Sequence, residues 1–146
     1  MQMHAYSELY LDDAKRHLAE AFDYAINVCK IDADDFASYF VESGIADLFG
    51  MGNPIYVSGQ SGIELARNIL EKVNKMTVFP SPVYRGGYSK EYWAGWSLAE
   101  YQWFSAHSFK EIFEKISLSS IIKMYHPYHE MDITRFNEAL NQFFLN

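Results

Sequence analysis

KEYWAGWSLAEYQWFSA, residues 90–106, is the stretch from which the architecture follows. Ser89 stands immediately before it and suits a helix N-cap, because a serine hydroxyl can accept from a backbone N–H of the first turn. Within it Tyr92, Trp93, Ala94, Gly95, Trp96, Leu98, Ala99, Tyr101, Trp103 and Phe104 occupy every direction around a helix axis. A helix apolar all round belongs inside a protein rather than on its surface. Ala94, Gly95 and Ala99 leave room for a neighbouring element to come close. Glu100 and Gln102 must then be partnered or reach water, since an unpaired buried polar group costs about 1–3 kcal/mol. This stretch is read as the helix around which the rest of the chain packs.

Working outward, every other patterned segment is also helical. Leu11, Ala14, Leu18, Phe22, Ala25 and Cys29 recur every three or four residues, the period of one helix face, and predict a helix over about 8–30 started by Ser7. Asp32 caps a second helix over 33–43 with Phe36 and Phe40 inward, Gly44 ends it, and a short piece follows over 45–49. Residues 50–60, GMGNPIYVSGQ, are turn-rich. Asn53-Pro54 reads as non-helical, and 55–57 as briefly extended. Ser61 and Glu64 form a capping box that opens a helix over 62–75. Residues 79–87 read as a connection. Beyond the aromatic stretch, Ser108 caps a short helix and Ser117 starts another over 118–125 that must end near Pro127. Asp132 caps a last one burying Ile133, Phe136, Leu140 and Phe143. The expectation is all-α: one compact domain, 1–146, of six to eight helices around the aromatic helix at about 90–106. A short hairpin from 55–57 and 77–84 is the main competing pattern.

Composition and charge narrow the function. The 146 residues include 11 Phe, 11 Tyr and 3 Trp, so the core is ring-rich and many polar tips need partners. The net charge is −7, and residues 1–50 carry all of the excess. No basic stripe exists to exchange counterions with phosphates, which disfavours nucleic acid and anionic membranes as partners. An acidic third can instead steer a basic protein. Its exposed helical positions Asp12, Asp13, Glu20 and Asp23 are the candidate partner-binding residues. Cys29 is the single cysteine and lies on an apolar face, which suits a buried residue in a reducing cytosol. No basic region followed by an apolar run opens the chain, and the longest uncharged stretch, 48–63, holds four Gly and a Pro, so neither a signal peptide nor a span is expected.

Motifs for chemistry fall short. His126, His129, Glu130 and Asp132 are the densest set of potential metal ligands, but the two imidazoles are not at i and i+4 and Pro127 separates them. The expected role of His129 or Glu130 is to tie down backbone at a helix end. Ser58-Gly59-Gln60-Ser61-Gly62 lacks the Gly-x-Ser-x-Gly order of a nucleophile elbow, and Ser61 reads as a cap. No phosphate- or dinucleotide-binding glycine motif is present, so no cofactor and no resident metal are expected. A small-ligand pocket built from Arg85, Trp93, Trp96 and Gln102 with His129 and Glu130 is the rival reading, because such pockets mix rings with a few polar groups.

Tyr10-Leu11-Asp12-Asp13-Ala14, Phe22-Asp23-Tyr24-Ala25, Ser43-Gly44-Ile45-Ala46, Gly52-Asn53-Pro54-x-Tyr56-Val57 and Ser61-Gly62-x-Glu64-Leu65-Ala66 carry a resemblance, and so above all does Tyr92-Trp93-Ala94-Gly95-Trp96-x-Leu98-Ala99-x-Tyr101-Gln102-Trp103. Across most of its length the chain resembles a family of small uncharacterised bacterial proteins of low-GC Gram-positive bacteria. The turn at Tyr125 departs from that pattern, since His126 stands where the family has proline directly after tyrosine. The resemblance implies a companion encoded in toxin–antitoxin-like gene clusters, some with an ADP-ribosyltransferase-like neighbour. It implies neutralisation by protein binding and supplies no active site. The expectation is therefore a non-enzymatic cytoplasmic interaction protein, antitoxin-like or regulatory. The alternative is a small-molecule- or metal-binding domain, with or without enzymatic activity, using the 85–103 aromatic region and the 126–132 turn. A DNA-mimicking inhibitor would need acids over most of the surface, and residues 51–146 are neutral overall.

Overall fold

The computed structural model describes residues 3–83 and 86–145. Among these every regular element is helical and no strand occurs. The chain begins with a 3-10 turn, Glu8–Tyr10, whose entry is capped by Ser7 accepting from Leu9 N. It runs without a break into α1 (Leu11–Asp23) and then a π-helical turn, Tyr24–Val28. Lys30, in the left-handed region at φ 62°, ends this rod. Next come α2 (Ala33–Glu42), α3 (Ile45–Gly50), α4 (Pro54–Val57), α5 (Gly62–Lys72), α6 (Lys90–Ser105), α7 (Phe109–Lys115), α8 (Leu118–Lys123), α9 (Tyr125–Tyr128) and α10 (Ile133–Asn141).

The ten α-helices among the described residues exceed the six to eight expected because two segments read as turns are single helical turns. In α4, Pro54 occupies the first helical position, where its missing N–H costs nothing and its fixed φ is already right. The restriction on the residue before proline falls on Asn53, which is the non-helical cap and accepts from Ile55 N. Residues 55–57 are therefore helical and not extended. In α9, Pro127 lies within the first turn, so the chain coils through it rather than stopping before it. Two ends also differ from expectation. The helix begun by Ser61 stops at Lys72, with Asn74 left-handed at φ 58°. The last helix tightens into a 3-10 turn, Gln142–Phe144, and the ring that packs is Phe144, stacked on His107 at 3.9 Å, while Phe143 is exposed.

Helix α6 packs chiefly along α1, with α8, α9 and α10 against its other sides. Small residues make the α1–α6 approach possible: a Cβ at Gly95 would lie 2.6 Å from Leu18 O and 2.7 Å from Ala19 Cα. Ala94, Gly95, Leu98, Ala99 and Tyr101 of α6 are buried in one continuous core with Leu18, Phe22, Phe36, Phe40, Phe49 and Phe109. The helix is central, but it is not enclosed on all sides. Tyr92, Trp93, Trp96, Glu100 and Phe104 form a strip along it that is only half-buried. No helix is long and apolar enough to cross a membrane among the described residues.

Candidate functional site

The half-buried strip of α6 is where the candidate site lies. Tyr92 and Trp96 lie four apart on α6, so one rises above the other, and Tyr88 precedes the N-cap of that helix. Tyr88 and Tyr92 stack with centroids 4.2 Å apart and planes at 10°, and Tyr92 and Trp96 continue the column at 6.4 Å and 19°. At α9, Tyr125 and His129, again four apart, stack at 4.1 Å and 12°. Trp93 stands edge-on to Tyr125 at 5.8 Å and to Phe136 at 5.3 Å. Tyr88, Ser89, Tyr92, Trp93, Trp96, Tyr125 and His129 line a cleft of about 280 Å3.

Two polar side chains at this cleft, Ser89 and His129, are already engaged. Ser89 Oγ caps α6 by accepting from Tyr92 N at 3.0 Å and donates to Asp23 Oδ1 at 2.6 Å. His129 Nδ1 lies 2.7 Å from Tyr125 O. A carbonyl only accepts, so this nitrogen carries the hydrogen, and the ring binds the carbonyl of the first residue of α9, which also accepts from His129 N. His129 Nε2 lies 3.4 Å from Glu130 Oε1, a carboxylate that is otherwise exposed. What the cleft presents is π-surface, with hydroxyls at its edge. Burial pushes the Tyr92 phenol up to about 12, with Tyr88 and the Glu20 carboxylate adding to the shift. Negative charge is thus disfavoured on this wall.

Tyr88, Ser89 and Tyr92 are shared with a second cleft of about 220 Å3, lined on its other side by Glu20, Asp23, Tyr24, Val28 and Ile63. Glu20 accepts from Gly62 N at 3.3 Å, at the N-terminus of α5, where the helix dipole favours a carboxylate. Asp23 accepts from Asn27 Nδ2 at 2.9 Å as well as from Ser89. The same Asn27 amide donates to buried Glu91 at 3.0 Å. Of the four acids expected on a partner-binding face, Asp12 is exposed and Asp13 pairs with Arg16 at 2.8 Å. Glu20 and Asp23 are half-buried and also hold neighbouring elements in place.

Of the expected pocket residues, the structure brings Trp93, Trp96 and His129 together. Gln102 is elsewhere: it is buried, and its Nε2 donates to Gly50 O and His107 O at 3.1 Å each. Its side chain staples α3 to the turn after α6. Glu130 is exposed beside His129, and Arg85 lies outside the described residues. Glu100 is partnered by Lys15 Nζ at 3.4 Å and Asn137 Nδ2 at 3.3 Å, and Lys15 in turn sits 4.6 Å over the Trp96 ring. Tyr88, Tyr92 and Tyr125 were not expected at a site; their intervals of four to Trp96 and His129 are the signal that finds them. Among the described residues no group of three or more His, Cys, Asp or Glu is placed to hold a metal ion. Ser61 caps α5 with the complete box to Glu64, and Cys29 is buried with its thiol pushed up by burial. Comparisons with protein-family models, curated proteins and solved structures return no match.

Proposed function

We propose that the protein is a non-enzymatic interaction module, cytoplasmic and antitoxin-like or regulatory in role, that binds a basic protein partner across the face shared by α1 and α6. One observation carries this reading: the Tyr88–Tyr92 wall divides a cleft of rings from a cleft containing Glu20 and Asp23, and neither lining contains Lys or Arg among the described residues. Carboxylates draw a basic surface in and mostly raise the association rate, while rings supply contact area that salt does not screen. Exposed Asp12, and Asp13, half-buried and paired with Arg16, extend the acidic approach along the same helix. Affinity capture from the native host at low and high salt tests this. The expected result is a stoichiometric basic partner whose association slows about tenfold when Asp12 and Asp13 are both replaced by Lys. Capture of no such partner, or of one indifferent to both salt and charge reversal, overturns it.

A small-molecule reading is favoured by one feature, the convergence of Trp93, Trp96 and His129 on a cleft of about 280 Å3, close to the lower end of ligand pockets, roughly 300 Å3. A thermal-shift screen against metals, nucleotides and small organic cations decides it, because a ligand that binds only the folded state raises Tm by mass action. A flat screen removes that reading.

A further inference from the structure

We infer that the cleft bounded by residues 3–5, α3 and the turn from α6 to α7 binds a protonated aliphatic amine, which donates to Gln102 Oε1 in a cleft that Asp47 and Glu111 make anionic. The site is separate from the α1–α6 face, and a protein partner is not a premise of it. The cleft measures about 460 Å3, with Ala5, Ala46, Ala106, Met3 and Met51 supplying its apolar lining. Gln102 also lines it and is only 2% exposed. Its Nε2 donates to Gly50 O and His107 O at 3.1 Å each, so the amide cannot be turned round without setting its oxygen against two others. Oε1 is thereby fixed as an acceptor, and it is buried with no hydrogen-bond partner, a costly state that an arriving donor relieves. Gly50 on one side of this amide, and Ala106 and Ser108 beyond the other, line the same cleft. Because Oε1 is shielded, the donor must displace part of the lining. Met3 and Met51, 78% and 64% exposed, are side chains that adapt readily. The charge of the lining selects the donor. Asp47 and Glu111 are both exposed there, and no Lys or Arg lines the cleft among the described residues. The Ser108 N–H holds the Glu111 carboxyl below its ordinary value. Lys110, its neighbour in sequence, lines a different cleft, against α2. His4 is the one basic side chain of the lining, and its Nδ1–H is spent on Phe104 O at 3.3 Å. An ammonium carries three donors and no acceptor, which matches a lining of carboxylates and an unanswered carbonyl oxygen.

The probe is n-butylammonium, titrated into the nitrogen-15-labelled full chain at about 0.15 M salt, where surface attraction is largely screened, and at about pH 8, above the ordinary histidine range. Its neutral counterpart n-butanol and the amide of Nα-acetyl-lysine are titrated alongside. The side-chain amide resonances of Gln102, assigned by through-bond correlation, and the backbone amides of 46–51 and 106–111 report binding. The expected result is a saturable shift of these resonances, with the ammonium about tenfold tighter than the alcohol. Asp47→Asn and Glu111→Gln should each weaken the ammonium about threefold, and glutamine keeps the capping box with Ser108. Circular dichroism confirms that both variants are folded. Tighter binding of the lysine amide assigns the amine to a protein side chain, and tighter binding of butylammonium assigns it to a free amine. Equal binding of butanol, indifference to both charge removals, or unmoved Gln102 side-chain resonances overturns the inference. So do shifts confined to Tyr92, Trp96, Tyr125 and His129, which put the amine in the ring cleft. Magnesium moving the Gln102 resonances at lower concentration than the amine also overturns it, since the site is then one for a metal ion.

Discussion

Gly95 shows how one missing carbon can set the spacing of two helices. In an exposed helix interior, Gly→Ala stabilises by about 1 kcal/mol. Here the added Cβ would meet Leu18 O at 2.6 Å and Ala19 N at 2.9 Å, both backbone atoms of α1 that cannot swing aside. The steric term wins, so Gly95→Ala should destabilise by about 2–3 kcal/mol in urea unfolding. An unchanged midpoint would mean that α1 and α6 are further apart than described. Gly62 is the same device where α5 meets α1: its Cβ would run into Glu20 Cβ and His17 O. His17 is the counterexample to reading a histidine as chemistry, since it is buried and its ring nitrogen is spent on Val57 O at 2.8 Å. Cys29, 8% exposed, should label with a thiol reagent only as fast as the protein opens. Rapid labelling of the native state would contradict its burial.

At the scale of the element, caps decide where these short helices start. Ser61, Ser89, Ser108 and Ser117 each accept from a first-turn N–H, and Asp32 and Asp132 do the same. Ser108 makes a full box with Glu111 and holds the seven-residue α7, too short to persist on its own. Ser108→Ala should cost about 1 kcal/mol, read as a fall in Tm. Asp132 gives the same idea a pH dependence. Its carboxyl accepts from Thr134 N and is held below its ordinary 3.8 by that backbone bond. Glu111 is likewise lowered by the Ser108 N–H. A depressed folded value contributes stability that is present above the unfolded value and is lost as pH falls through the folded one. Stability should therefore drop on acidification below about pH 4. Asp132→Asn keeps a capping oxygen without the titration, so its unfolding midpoint should fall less steeply over that window. Parallel acid limbs in the two proteins would exclude this role for Asp132.

At the scale of the molecule, the α1–α6 pair is the frame and the other helices are laid against it. Tyr101 of α6 reaches α10 through Asn141 Oδ1 at 2.7 Å, and Trp103 Nε1 donates to Tyr6 O at 2.8 Å, tying the beginning of the chain to the end of α6. Ala5 N to Trp103 O and His4 stacked on Trp103 at 3.8 Å complete that tie. Amides of α1 and α6 should be the last to exchange with deuterium, at rates set by global unfolding, while those of α9 and the turn to Asp132 exchange early. Slow exchange confined to α5 or α10 would shift the frame elsewhere.

The helical class, the cap serines and aspartates, the buried stripes of α1, α2 and α5, and the central place of residues 90–106 are all determined by the sequence alone, because each follows from the helical period and from local backbone donors that need an acceptor. The same local rules mislead at Pro54 and Pro127: proline excludes an interior helical position but not a first turn, and its neighbours in the fold decide which it occupies. A ring-filled helix also says nothing about which of its rings stay in contact with water. Composition placed all of α6 inside, but α1 covers one side of it and the shorter α8, α9 and α10 cover the rest incompletely. The uncovered strip of Tyr92, Trp93 and Trp96, faced by Tyr125 and His129 from about thirty residues further along the chain, exists only once those helices are placed. Helical period already sets Gln102 on the side of α6 away from Trp93; burial is a property of what else packs nearby, so only the tertiary structure made that side the core.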